Sequence, residues 1–228
     1  MSTVDRVQRS VMDRMLRGAL APGTWMRQDE LAASMGVSKI PVREALQRLA
    51  ALGLLRFEPN RGAVIPALTA AEADENFTLR RAVEPELLRR SIPKLTIVDL
   101  AEAELALASD RPATSDADPS GLEANWRFHR AIYVASGWER GLAVVEILHA
   151  SVAPYVRLYT DSLGGGSDSD VEHQALLDAC RSGDVDGAVD LLDAHLDHAA
   201  TALRAFLDDD VVDGPAARGS EVGEDGWS

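Results

Sequence analysis

The sequence predicts a mainly α protein built from two parts. An N-terminal winged helix-turn-helix occupies residues 1–68 and a C-terminal all-α antiparallel helical bundle occupies 69–207, followed by a disordered acidic tail at 208–228. Three observations carry this. Gly36-Val37-Ser38-Lys39-Ile40-Pro41-Val42-Arg43-Glu44-Ala45-Leu46 reads as the turn and second helix of a helix-turn-helix. Two short alternating segments then flank Pro59-Asn60-Arg61-Gly62, which is a strong hairpin-turn signal. After Pro66 the apolar spacing turns helical and stays so to about residue 207.

Each element has a local reason. Val4, Val7, Val11, Met15 and Leu16 mark a first helix over residues 4–20, closed by Ala21-Pro22-Gly23. Gln28 to Met35 is a short second helix, and Gly36 suits its left-handed cap. Ser38 sits at the N-cap of the third, where Pro41 is tolerated because first-turn N–H groups have no intrahelical partner. Val42, Ala45, Leu46 and Leu49 form that helix's apolar face and Gly53 ends it, while Lys39, Arg43 and Gln47 point elsewhere. Such a helix packs on its neighbour and offers its N-terminal end to a major groove. Arg61 at the hairpin turn would place a cation where a wing tip enters a minor groove, or stand as a solvated turn residue.

In the second part Thr69 caps a helix through Phe77, Leu79, Val83 and Leu87, with a kink expected near Pro85, and Thr96 caps another through Leu107. Residues 108–120 are polar and contain prolines, so a mobile loop is expected. Further helices are expected over 121–136, 139–160, 170–181 and 184–207, with Gly164-Gly165-Gly166 separating two of them.

Charge divides the chain in the same place. Residues 1–69 hold 10 basic and 6 acidic side chains, net +4, while 70–228 carry a net of −18. Phosphates attract the first part and are repelled by the second. That excludes sequence-blind coating of DNA and suits contact through one small basic face. The single cysteine, Cys180, excludes an intramolecular disulfide and fits a reducing compartment. With no apolar run of membrane-spanning length and no signal-peptide core, a cytoplasmic location is expected.

All five histidines, His129, His149, His173, His195 and His198, fall in the helical part. Asn125 and His129 are four residues apart and share a helix face, while His173 and His195 lie on two later helices. Three imidazoles and one oxygen ligand suit a divalent transition metal, Zn, Ni or Mn. A helical histidine serves equally as a packing or surface residue, and His149 and His198 keep that reading.

The chain resembles the GntR family of bacterial transcription regulators, in the FadR-type subfamily with an FCD effector domain, over roughly residues 5–207. The resemblance rests first on Leu31-Ala32, the Gly36–Leu46 string, Gly53-Leu54 and Pro59–Gly62. It rests next on Leu79-Arg80-Arg81-Ala82-Val83-Glu84, then on Phe128-His129, Glu172-His173, Gly183-Asp184 and His195-Leu196. It implies DNA contacts from Ser38, Lys39, Ile40 and Arg43 and from the wing pair Arg61-Gly62. It also implies a metal site of Asn125, His129, His173 and His195, and a homodimer on an inverted-repeat double-stranded operator. Lys39 replaces the more usual arginine, so a bidentate grip on guanine is less natural at that step. Asp29 stands where some relatives carry a DNA-contacting arginine. Asn125 replaces the usual aspartate and brings no negative charge, so a bound ion would keep its whole +2 and pull harder on an anion. Arg80 and Arg157 are placed to pair with a small carboxylate effector, or to form salt bridges within the bundle.

The expected function is a regulator whose operator affinity answers to an organic acid bound at that metal, not an enzyme. A metal-free regulator sensing a larger or neutral ligand is the alternative. A metal-dependent hydrolase is less favoured, because no HExxH-like helix and no placed general base accompany the histidines.

Overall fold

The computed structural model describes residues 2–17, 19–59, 61–109, 120–163 and 166–212. The N-terminal part begins with α1 (Thr3–Leu16). A capping box starts it: the Ser2 hydroxyl accepts from the Asp5 N–H at 3.1 Å, and the Asp5 carboxylate accepts from the Ser2 N–H at 2.9 Å. β1 (Trp25–Met26), α2 (Gln28–Met35), α3 (Lys39–Ala51), β2 (Arg56–Glu58) and β3 (Gly62–Val64) follow. Gly36 adopts the left-handed conformation expected between α2 and α3, with φ 63°. Ser38 occupies the N-cap of α3 in extended backbone but makes no side-chain cap bond. Val7, Val11 and Met15 of α1 pack with Leu31 of α2 and with Val42, Leu46 and Leu49 of α3 in one buried core.

The sheet has three strands in the order β1-β3-β2, all antiparallel, with Trp25 opposite Val64 and Phe57 opposite Ala63. Strand β1 was not expected; two residues are too few to show a period. It gives Gly62 its reason. Gly62 is buried at φ 114°, and a Cβ there would collide with the Met26 carbonyl. The structure thus gives Gly62 a structural role beside the DNA contact expected at the wing: the residue lets β3 approach β1. Gly62→Ala is expected to cost about 1–3 kcal/mol from backbone strain alone, before the clash, read as a lowered urea midpoint.

The second part holds α4 (Ala70–Ser91), α5 (Ile97–Ser109), α6 (Ser120–Tyr133), α7 (Glu139–Leu163), α8 (Gly166–Ser182) and α9 (Val185–Val212). Capping boxes start α4, through Thr69 and Glu72, and α5, where Thr96 and Asp99 exchange the same pair of bonds. α4 runs unbroken through Pro85. α8 starts four residues before its expected position, at Gly166, and α9 continues through Asp208 to Val212, so the tail expected from 208 is helical in its first turn. The expected loop beyond Ser109, Gly164-Gly165, Asn60 and the tail beyond Val212 lie outside the described residues.

Helices α4 and α9 pack along each other, α6 lies against α5 and α4, and α7 bridges to α1. Among the described residues, polar contacts help tie the parts together. The Tyr155 hydroxyl on α7 donates to the Pro66 carbonyl and accepts from the Leu68 N–H, both at 2.6 Å, pinning the connecting segment. Arg9 on α1 pairs with Glu146 on α7 at 2.6 Å, beside a cleft of about 410 Å³ floored by Trp126 of α6.

Candidate metal centre and nucleic-acid face

At the N-terminal end of α3, Ser38, Lys39, Ile40 and Arg43 are all exposed. Ile40 is 77 % exposed, unusual for an isoleucine and suited to meeting a thymine methyl. Lys39 pairs with Asp29 of α2 at 2.5 Å, so an acid on α2 holds the lysine at the start of α3. Arg61 is exposed beside the wing turn. It lies 4.8 Å over the Trp25 ring and 3.3 Å from Glu58.

The helical part brings three distant histidines together. α6 supplies His129, α8 supplies His173 and α9 supplies His195. All are buried, and one ligand atom from each lies within 4.8 Å of the others. Their ring centroids are 4.6–5.3 Å apart. Burial, then the neighbouring imidazoles, hold the His129 and His173 pKa values well below the ordinary histidine value. Burial also lowers His195, against an opposing pull from Glu172. All three are therefore neutral near pH 7, the state in which imidazole ligates. His129 Nε2 and both ring nitrogens of His173 are buried without a hydrogen-bond partner. Buried ring nitrogens without a partner are costly unless something binds them, and three neutral imidazoles clustered in the interior fit a divalent transition ion. Asn125 sits half-buried one turn before His129 on the same helix.

Around the triad lies a second set that spacing did not reveal as one unit. Glu84 of α4 is fully buried. It accepts from Arg80 Nε at 2.6 Å and from the Tyr133 hydroxyl of α6 at 2.8 Å. Burial alone would raise its carboxyl, but Arg80 and His149 hold it well below the usual carboxylate range. Arg80 Nη2 also donates to His149 Nε2 at 2.9 Å. Burial, then Arg80, push His149 down to about 4, so it too is neutral. His149 is thus a buried member of this polar core, its ring 5.2 Å from His129 and 4.9 Å from Trp126. On the other side Glu172 accepts from His195 Nδ1 at 2.8 Å and from His198 Nδ1 at 2.5 Å.

Of the two roles expected of Arg80, the structure contains the salt bridge within the bundle: its guanidinium is buried against Glu84 and His149. Arg157 lies on α7, but its side chain is outside the described residues. The Arg80–Glu84 pair was legible as an i, i+4 spacing, and so was His129–Tyr133. Which of these faces the triad depends on how the helices pack.

Comparison with known proteins agrees with both halves. Residues 3–65 match the family model "Bacterial regulatory proteins, gntR family", and residues 75–198, more than half of the chain, match the FCD domain. An HTH-type transcriptional regulator in an unstable DNA locus of Streptomyces ambofaciens is 30 % identical over 205 residues, covering 83 % of this chain and 77 % of that protein. The HTH-type transcriptional repressor RspR of Escherichia coli is 24 % identical over 186 residues, covering 81 % and 82 %. The solved structure of E. coli McbR/YncC superposes with a TM-score of 0.81 at 25 % identity, covering 90 % of this chain and 99 % of that one. No helix among the described residues is long and apolar enough to cross a membrane. With a gntR-type winged head at residues 3–65 and an FCD domain behind it, the chain belongs to the GntR family and is a transcription regulator, not an enzyme.

Proposed function

We propose that this regulator binds an inverted-repeat operator as a homodimer, and that a small carboxylate bound at a metal held by His129, His173 and His195 controls its operator affinity. The observation that carries the sensing half is the buried triad of neutral imidazoles with orphaned nitrogens. When bound, the ion would supply a Lewis-acidic positive charge. Asn125 offers it an amide oxygen and no charge, so an anionic effector is favoured as the compensating group. The head spans residues 1–68 and the effector and dimerisation domain 69–207, in a protein of the cytoplasm.

Ser38, Lys39, Ile40, Arg43 and Arg61 carry the operator contact, supported by their exposure on the end of α3 and at the wing. α6 has His129 on its inner face, and Trp126 beneath the cleft beside α1. In this reading α6 stands between the bound ion and the reading head, and ligand binding shifts the population of head positions.

Fluorescence anisotropy on labelled operator DNA tests the reading. A carboxylate panel added to zinc-loaded protein should contain a member that changes operator affinity at least several-fold, an effect lost in His195→Ala. No response to any carboxylate would contradict it. In the same assay Arg43→Ala should weaken binding and reduce the slope of log K against log salt by about one, the signature of a lost phosphate contact.

A further inference from the structure

The triad's lone pairs are useful to a cation only if the correct nitrogen of each ring is unprotonated. The buried surroundings decide this for two of the three rings. The Glu84 carboxylate, in contact with Arg80 at 2.6 Å, can only accept hydrogen bonds. The Tyr133 proton therefore points at Glu84 Oε2, 2.8 Å away. That leaves the phenol oxygen as an acceptor toward His129 Nδ1 at 3.2 Å, so Nδ1 carries the hydrogen and Nε2 carries the lone pair. His129 Nε2 is the atom left buried without a partner. Glu172 imposes the same pattern on His195 from the far side, accepting from Nδ1 at 2.8 Å. Both relays work against the preference of a free histidine side chain in water, which favours hydrogen on Nε2. His173, bonded at neither nitrogen, is the ring left to adjust.

We propose that Tyr133 and Glu172 are positioning residues, which act through the Glu84–Tyr133–His129 relay and the Glu172–His195 bond to present Nε2 of both rings to the metal. The assignment rests on the metal reading above. It gives the buried Arg80–Glu84 pair a purpose beyond packing: Arg80 keeps Glu84 an acceptor, which turns Tyr133 and hence His129. Losing such a supporting partner typically costs about 10–100-fold in metal affinity.

The test uses full-length Tyr133→Phe, which keeps the ring and removes the hydroxyl, and Glu172→Ala, a partly exposed site less exposed to folding failure. Two quantities are read: zinc affinity by competition with a chromophoric chelator, and the 15N shifts of the imidazoles in metal-free protein. The expected result is zinc binding weakened about 10–100-fold in each variant. In wild type, Nδ1–H should be found on His129 and His195, and Tyr133→Phe should change the tautomer of His129 while leaving that of His195. Unchanged affinity with unchanged tautomers overturns the proposal, as does Nε2–H on His129 in wild type. A wild-type chain that binds no zinc contradicts the metal reading instead, and the 15N shifts still decide the relay.

Discussion

Replacing Glu84 with leucine should lower unfolding free energy by about 3–5 kcal/mol, because it leaves the buried Arg80 charge without its partner. Arg80 and Glu84 are both almost completely inaccessible, and the pair is surrounded by Phe77, Tyr133 and His149. A guanidinium at that depth has no water to take over from the carboxylate. The same change strips Tyr133 of its acceptor, adding the cost of an unsatisfied buried hydroxyl, about 1–3 kcal/mol. The double change Arg80→Met with Glu84→Leu should recover most of the loss, since an apolar pair of similar size avoids burying any charge. Urea midpoints of the three proteins at pH 7.5 check this. A single-variant loss below about 1 kcal/mol would mean that the pair is solvated in solution.

Acidification should destabilise the metal-free protein well before its carboxylates titrate. His129, His149, His173 and His195 all have folded values below the ordinary 6.5, chiefly through burial, with His149 at about 4. Arg80 faces and further lowers all four, the neighbouring imidazoles lower one another, and Glu84 and Glu172 oppose this at His149 and His195 only. Above pH 6.5 neither the folded nor the unfolded chain protonates these rings and stability is flat. Below it the unfolded chain takes up protons that the folded chain refuses, so stability falls as pH falls. The slope approaches roughly 1.4 kcal/mol per pH unit for each histidine. His129, His149 and His173 together amount to several kcal/mol between pH 6.5 and 5, and His195 adds a loss of the same sign. The buried Glu84 carboxylate, depressed by Arg80, adds its own loss only at lower pH, below the unfolded carboxylate range. Urea midpoints in chelator at pH 7.5, 6.5 and 5.5 give the comparison, and a midpoint that is flat or rises on acidification would contradict neutral buried imidazoles.

How far the sequence could be read depended on the range of the interaction. The recognition string was legible because its signals are local: the left-handed Gly36, the N-cap position of Ser38 and the apolar spacing from Val42 to Leu49 need no tertiary context. Helix starts at Thr69 and Thr96 were legible through their capping boxes. Strand β1 was not, since Trp25–Met26 is a strand only by virtue of pairing with β3. The part played by Gly62 was hidden with it. A proline inside a helix signals a possible kink, and α4 continues without a break through Pro85.

At the site, the three histidines could be nominated from helix positions, but their convergence required α6, α8 and α9 to meet. His149 was passed over because one histidine on an apolar helix carries no signal until Arg80 and Glu84 are seen to face it from α4. For Arg80 the sequence leaves a ligand carboxylate and a salt bridge within the bundle equally open, and the fold turns it inward to Glu84. The spacing Arg80–Glu84 was available all along; what was missing was the burial that makes a surface-type i, i+4 pair into the charge that orients Tyr133.

The claim at the centre is that His129, His173 and His195 hold a divalent ion. Elemental analysis of tag-free protein purified without chelator, with zinc titration of stripped protein alongside, tests it directly. The prediction is about one divalent ion per chain, recovered on titration and lost in His129→Ala and in His195→Ala. Stripped protein that takes up no zinc, nickel or manganese in excess would contradict it, and would leave the orphaned nitrogens of the triad to a metal-free ligand.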